Sequence, residues 1–365
     1  MCLTPVTLNR KYANRYYQNT VPCGKCLECI KDKQNEYIVR SLEEARKYDT
    51  MVFFTLTYSP EALPVVDDFE IDEETGEYLK LGEVQTLCRA DVRKWKLSYE
   101  QYYRRKKMPL KYSFLIKGEY GPKTQRPHYH GLIFGLSREV VNDIMYRWKK
   151  QYGYVVFKFI PPVMADREKV ARYCSKYMVK DQDWNVLPRP WCEKPRPMTS
   201  KEYGMPKPER WKKWQEYYTC QDIVKYDINN PVFASNKQQW YVANEIIRRK
   251  KYKIGNGKEF KLPAYYVRKL FYTPELRKIT DQEGNILEIK RSMVASPLQR
   301  LVTYAAQYNY TKSRDDELFA LAAEKFDGDM SKAIMFEQAR EEDNLLARAE
   351  TYAANNRKYM VKSIC

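Results

Sequence analysis

The stretch Arg126-Pro-His-Tyr-His-Gly-Leu-Ile-Phe-Gly135 constrains this chain more than any other. It holds both histidines of the 365 residues, His128 and His130. In an extended backbone alternate side chains share a face, so the two imidazoles project together while Tyr129 and the run Leu132 to Phe134 embed the strand. Such a strand can present two nitrogen ligands to one metal ion. A strand-like run lies upstream, Tyr112-Ser-Phe-Leu-Ile116, and the Gly, Pro, Lys and Thr residues between the two predict a hairpin. That hairpin returns Glu119, within Lys117-Gly-Glu-Tyr-Gly121, to the side of the histidines. A carboxylate beside two imidazoles suits a hard divalent ion with open positions, Mg²⁺ or Mn²⁺, engaging a phosphate.

A helix-like start, Asp166-Arg-Glu-Lys-Val170, leads into Ala171-Arg-Tyr-Cys-Ser-Lys-Tyr-Met-Val-Lys180. Tyr173 and Tyr177 fall on one helical face, and Lys176 and Lys180 repeat the spacing one position round. Tyrosine is the commonest aromatic here, with 32 copies, so a pair four apart is equally what packing produces. Beside a His-x-His strand the pair gains a chemical meaning: a metal to polarise a phosphate and phenols to attack it. Free tyrosine titrates near pH ~10. Lys176 and Lys180 are therefore candidates for favouring the phenolate, with simple solvation as the alternative.

The order of Phe53-Phe-Thr-Leu-Thr57, the His-x-His strand and the tandem Tyr-x-x-Lys helix resembles the HUH endonucleases that start rolling-circle DNA replication. Two tyrosines together with Pro22-Cys-Gly-Lys-Cys-Leu-Glu-Cys29 are similar to the replication initiators of microviruses, the small single-stranded DNA phages, of the gokushovirus type. The likeness covers about residues 50 to 180, and Leu262-Pro-Ala-Tyr-Tyr-Val-Arg-Lys-Leu270 extends it towards residue 270. It implies a metal-dependent endonuclease and strand transferase that nicks a phage origin through a 5′-phosphotyrosine link and religates the product circle. The implied partners are single-stranded DNA and a host helicase or polymerase, met by a monomer in the cytoplasm of the bacterial host. An HUH transposase or relaxase, and a non-enzymatic single-stranded nucleic-acid-binding protein, are the alternative readings.

A formal net charge of +18 fits a polyanionic partner. No run approaches the ~18 apolar residues of a spanning helix, and the N-terminus lacks the pattern of a secretory signal. The nine cysteines are then expected as thiols or metal ligands. Cys23, Cys26 and Cys29 have the spacing of a structural zinc site with Cys2 as fourth ligand; free thiols or an iron–sulfur centre are the alternatives.

The fold expected is α+β: a central antiparallel sheet with flanking helices, in the order strand, helix, strand, strand, helix, strand, helix, with the helices on one face. Ser137 predicts an N-cap, and Asp67 to Glu77 a solvated loop or small hairpin. The boundaries expected are a Cys-rich segment and packing helix over 1–49, the catalytic core over 50–180, a basic Pro/Trp/Tyr-rich region over 181–310 and an acidic helical part over 311–365. Within the third, residues 181–210 read as a linker or an arm across the catalytic face. Trp184 and Trp191 suit base stacking, and Trp211 and Trp214 suit either stacking or a core. Residues 237–272 predict a basic, tyrosine-rich hairpin turning at Gly255-Asn-Gly257.

Overall fold

In a computed structural model the chain is described over residues 6–12, 15–72, 74–179, 187–227, 231–233, 235–253, 257–280, 286–340, 343, 344, 347 and 350. Cys2, Lys180, Trp184 and the turn residues Gly255 and Asn256 lie outside this set. The chain divides into two compact units. One is Lys33–Trp211 with Lys253–Lys258, and the other Met1–Asp32, Lys212–Tyr252 and Glu259–Cys365.

An antiparallel hairpin opens the chain, β1 (Val6–Tyr12) with β2 (Arg15–Val21). Then come α1 (Leu27–Ala45), β3 (Met51–Tyr58), β4 (Val65–Ile71), β5 (Tyr78–Gln85), α2 (Arg89–Arg105), β6 (Ser113–Tyr120) and β7 (Pro127–Phe134). They are followed by α3 (Arg138–Gln151), β8 (Gly153–Ile160), α4 (Met164–Val179) and β9 (Met198–Thr199). The central sheet has the order β8-β3-β7-β6-β9 with every neighbouring pair antiparallel. This is the α+β class expected, and the acidic stretch is the β4–β5 hairpin. Ser137 caps α3, its hydroxyl accepting from the Val140 N–H.

The helices cover both faces of the sheet, not one. Alternate residues of the central strands are apolar on each side, so neither face can be left to water. Val52, Phe54, Leu56 and Tyr58 of β3 and Tyr129 and Ile133 of β7 pack with Trp95 and Tyr99 of α2 and Ile144 and Trp148 of α3. Met51, Leu115, Leu132 and Phe134 pack on the other side with Tyr37 and Ala45 of α1 and Cys174 and Met178 of α4. Trp95 and Trp148 meet edge to face at 5.7 Å, and the indole N–H of Trp95 donates to the Ile144 carbonyl, so the first core buries its largest rings without an unmet donor.

Residues 187–211 belong to this unit instead of linking it to the next. Cys192 lies in the core on the α2/α3 side, and the Glu193 carbonyl accepts from the Tyr120 hydroxyl. β9 then pairs with β6, supplying the hydrogen bonds that an edge strand lacks. Beyond it the Gly204 N–H donates to the buried Glu44 carboxylate of α1, and Arg210 pairs with the buried Glu43. The arm thus passes round the β6 edge from one face to the other. Trp191 is exposed and meets Phe69 at 6.2 Å.

In the other unit α5 (Pro208–Tyr218) carries the buried Trp214, which meets Tyr218, Tyr252 and Tyr266 edge to face; this tryptophan is core. Trp211, in the same helix, is half-buried. The hairpin expected over 237–272 is reduced to two three-residue strands, β10 (Lys251–Lys253) and β11 (Glu259–Lys261). They sit between α6 (Asn236–Arg249) and α7 (Ala264–Phe271). Ser235 caps α6 and its apolar Val242, Ala243 and Ile246 are buried, so helical periodicity prevails over the strand-like composition. A hairpin of β12 (Tyr272–Thr280) and β13 (Ile286–Ala295) leads to α8 (Pro297–Lys325). The acidic end folds back at Gly328, whose φ of +85° suits glycine alone, and Leu318, Ala322 and Ala333 close a small core.

Close packing at β7 yields a first test. A Cβ on Gly131 would stand 2.3 Å from the Phe54 ring, deep in the core. Gly131→Ala is expected to destabilise the fold by about 1–3 kcal/mol, read as a lower thermal midpoint. Adding Phe54→Leu should recover part of that loss; strictly additive destabilisation would show that the contact is not what excludes the methyl group.

Candidate active site

Strand register builds the site. On β6 and β7, Glu119 lies opposite His128 and Lys117 opposite His130; on β3 and β7, Thr55 lies opposite His130 and Thr57 opposite His128. Directly opposed residues of an antiparallel pair share a face, so all six side chains project from the side that α4 covers. The ligand atoms of Glu119, His128 and His130 lie within 4.8 Å of one another. One carboxylate oxygen of Glu119 is 3.3 Å from His130 Nε2 and 3.7 Å from His128 Nε2.

Each imidazole is oriented from behind. His128 Nδ1 is 3.0 Å from the Arg126 carbonyl oxygen, which can only accept, so the proton of the neutral ring sits on Nδ1 and the Nε2 lone pair faces Glu119. His130 Nδ1 is 2.9 Å from the Thr55 hydroxyl, leaving its Nε2 directed the same way. Lone pairs converging on a carboxylate call for a cation between them. Donor atoms about 2.0–2.3 Å from one ion stand roughly 3–4 Å apart, which these distances match. The donor set therefore fits a divalent ion held from one side, with the remaining positions open.

α4 lies over this group because Ala171, Cys174 and Met178, a helical apolar stripe, are buried. Two basic side chains hold it. Arg167, 3% exposed, donates to the carbonyls of Ala45, Tyr48 and Asp49, meeting the C-terminal end of α1. Lys117, 2% exposed, donates to the Tyr177 carbonyl at 2.9 Å near the end of α4. Between these anchors the Tyr177 ring stacks on His130 with centroids 3.8 Å apart, and Tyr173 meets the Phe53 ring edge-on at 5.4 Å. The Tyr177 hydroxyl donates to the Tyr173 oxygen at 2.5 Å. Burial pushes the Tyr177 pKa up, and the hydrogen bond to Tyr173, the charge of that neighbour and that of Glu119 add to the rise, so Tyr177 rests as a phenol. Tyr173 is 48% exposed.

Glu119, His128, His130, Tyr173 and Tyr177 are thus together, as expected from their spacing. Lys176 is exposed on α4. The cation fixed at this site is Lys117, which sequence reasoning missed although it shares a strand face with Glu119 two residues on. Phe53 and Thr55 were quoted only as a motif; the structure gives them ring contact and hydrogen bonding to the same histidine. Cys23, Cys26 and Cys29 cluster separately, in the other unit.

A helix bearing paired tyrosines over a sheet that offers two imidazoles and a carboxylate defines a phosphodiester-handling type of site, and known proteins agree with that class. Residues 51–182, from β3 to just past α4, match the family model of the phage replication-associated protein ORF2. The chain is 26% identical over 261 residues to the replication-associated protein VP4 of Bdellovibrio phage phiMH2K, covering 65% of this chain and 72% of that one. It is 25% identical over 170 residues to replication-associated protein ORF4 of Chlamydia phage 1, covering 42% and 38% of the two chains. With replication-associated protein ORF2 of Spiroplasma virus 4 it shares 34% identity over 143 residues, 39% of each. The match spans well under half the length of the last two relatives. No solved structure matches the chain. It is a relative of the phage replication-associated proteins, consistent with a microvirus-type rolling-circle initiator, and the matched segment holds every residue of the site.

The anchor at the end of α4 can be tested without any activity. Lys117→Met keeps volume but takes the donor from the Tyr177 carbonyl, and should lower the unfolding free energy by about 1–3 kcal/mol in denaturant titration. An unchanged midpoint would show that this buried ammonium contributes nothing to the hold on α4.

Proposed function

We propose that this chain cuts single-stranded DNA at a phage replication origin, keeps the 5′ end as a phosphotyrosine, leaves a 3′-OH that primes rolling-circle synthesis, and rejoins the product circle. The observation that carries this reading is the Tyr177 ring on His130 with its hydroxyl bonded to Tyr173, two phenols beside one carboxylate and two imidazoles. The printed names of the relatives, replication-associated proteins of phages, support a place in replication. The net charge of +18 supports a polyanionic partner.

Glu119, His128 and His130 would hold Mg²⁺ or Mn²⁺, and such an ion, when bound, supplies charge withdrawal from a non-bridging phosphate oxygen. The rest is the work of the chain. A tyrosine oxygen attacks the scissile phosphorus in line; the new Tyr–O–P bond forms as the P–O3′ bond breaks, and the phenolic proton passes through solvent to the released 3′ oxygen. A phosphodiester is exchanged for a phosphodiester, so a 3′-OH can reverse the step without an external energy source. Lys117 positions Tyr177 through its backbone carbonyl, and Thr55 and the Arg126 carbonyl keep both Nε2 atoms directed at Glu119. Two phenols one helical turn apart allow a second cut while the first still carries DNA.

Tyr173→Phe and Tyr177→Phe should each retain single cleavage of a short origin oligonucleotide and lose repeated cleavage and transfer, whereas the double variant forms no adduct. The measurement is a labelled adduct on a denaturing gel, followed by mass spectrometry of the tryptic peptide. A DNA adduct on the double variant would end this assignment.

His128→Ala should lower cleavage by at least about 100-fold while keeping the circular dichroism spectrum and most of the salt-dependent DNA affinity, which comes from Lys and Arg. Wild-type cleavage by that variant would remove the histidine from the reaction.

A further inference from the structure

Strand cutting has no use for the three cysteines before and within the first turn of α1. Their sulfur atoms lie within 4.8 Å of one another, against about 3.8 Å for thiolates placed tetrahedrally ~2.3 Å from one Zn²⁺. The turn that carries them is folded around a charged sulfur. The backbone N–H groups of Lys25 and Cys26 both donate to Cys23 Sγ, at 3.4 and 3.2 Å. Donors converging on one sulfur favour the thiolate, which is the form that binds metal. Gly24 holds a φ of +78°, a conformation that bends the chain back towards Cys26 and would strain any side chain. Cys26 immediately precedes α1 and Cys29 lies in its first turn, where the positive end of the helix further favours negative sulfur. All three are half-buried and none is in a disulfide.

We propose that Cys23, Cys26 and Cys29 hold a structural zinc ion that ties the turn at Gly24 to the start of α1. Zinc suits the donors because soft thiolates in a tight tetrahedral set select it over the hard ions that carboxylate and imidazole take at the other site. Cys2, outside the described residues, is the fourth ligand expected from the sequence; water is the alternative, and Cys2→Ser separates the two by the number of thiolates left on the metal. Binding requires three deprotonated thiols, so loading releases protons and affinity falls as pH is lowered.

The test uses the full chain carrying His128→Ala and His130→Ala, so that the other candidate metal position cannot contribute. The expected result is about one zinc per chain after dialysis, and, on replacement by cobalt, thiolate-to-cobalt charge-transfer and tetrahedral d–d absorption. Adding Cys26→Ser or Cys29→Ser should lower metal affinity by at least about 10-fold, while Cys174→Ser, a buried thiol elsewhere, should leave it unchanged. The cobalt spectrum is taken with the cysteines intact, so a variant that fails to fold does not blunt the test. Protein that retains no zinc, cobalt without thiolate bands, iron in place of zinc, or a disulfide among the three cysteines would each overturn the proposal. Loss of DNA cutting with the cobalt spectrum intact would count against the proposed activity and leave this site standing.

Discussion

The pairing of β6 with β7 is the constraint on which the site depends. Side chains alternate with a period of two, so a slip of one residue would send both histidines and Glu119 to opposite sides of the sheet. The opposite face guards against that slip. Gly131 leaves space that the Phe54 ring fills, Gly118 leaves space beside Leu87, and the Tyr129 hydroxyl accepts from the Cys88 N–H at 2.8 Å. Packing against α2 and α3 therefore sets the geometry of a cluster that neither helix touches.

On the site face, order comes from charge placed under cover. Lys117 and Arg167 are buried cations whose hydrogen bonds go to backbone carbonyls at the ends of α4 and α1, where helix dipoles present partial negative charge. Neutral side chains there would leave those carbonyls unmet in a medium that penalises it. The outcome is a helix held at both ends, with one phenol pressed on an imidazole and the other open to solvent. Such a division suits chemistry in which DNA must arrive from outside and a second phenol must already be in place.

Acidic residues follow a related logic. Glu43 and Glu44 are buried on α1, where they receive Arg210 and the Gly204 N–H and thereby seat the returning arm. A chain of net charge +18 spends these two carboxylates on its own architecture, while the acids of the C-terminal part gather on α8 and the helical residues after it.

Local periodicity carried a good deal of this protein. Alternation put His128 and His130 on one face, the four-residue interval put Tyr173 and Tyr177 on another, Ser137 marked a helix start, and the glycine- and proline-bearing segment before Arg126 marked the hairpin that returns Glu119. Each depends on neighbours a few residues apart, which a sequence displays directly. Tertiary structure decided what distant segments do to one another. It put helices on both sides of the sheet, since apolar residues on both faces of β3 and β7 must find cover. It turned 187–211 into an edge strand and clamp, and it made helices of most of 237–272. It also chose Lys117, not Lys176, as the cation fixed beneath α4: charge and spacing are the same kind of signal for both, but only the packing of α4 on β6 buries one and leaves the other in water.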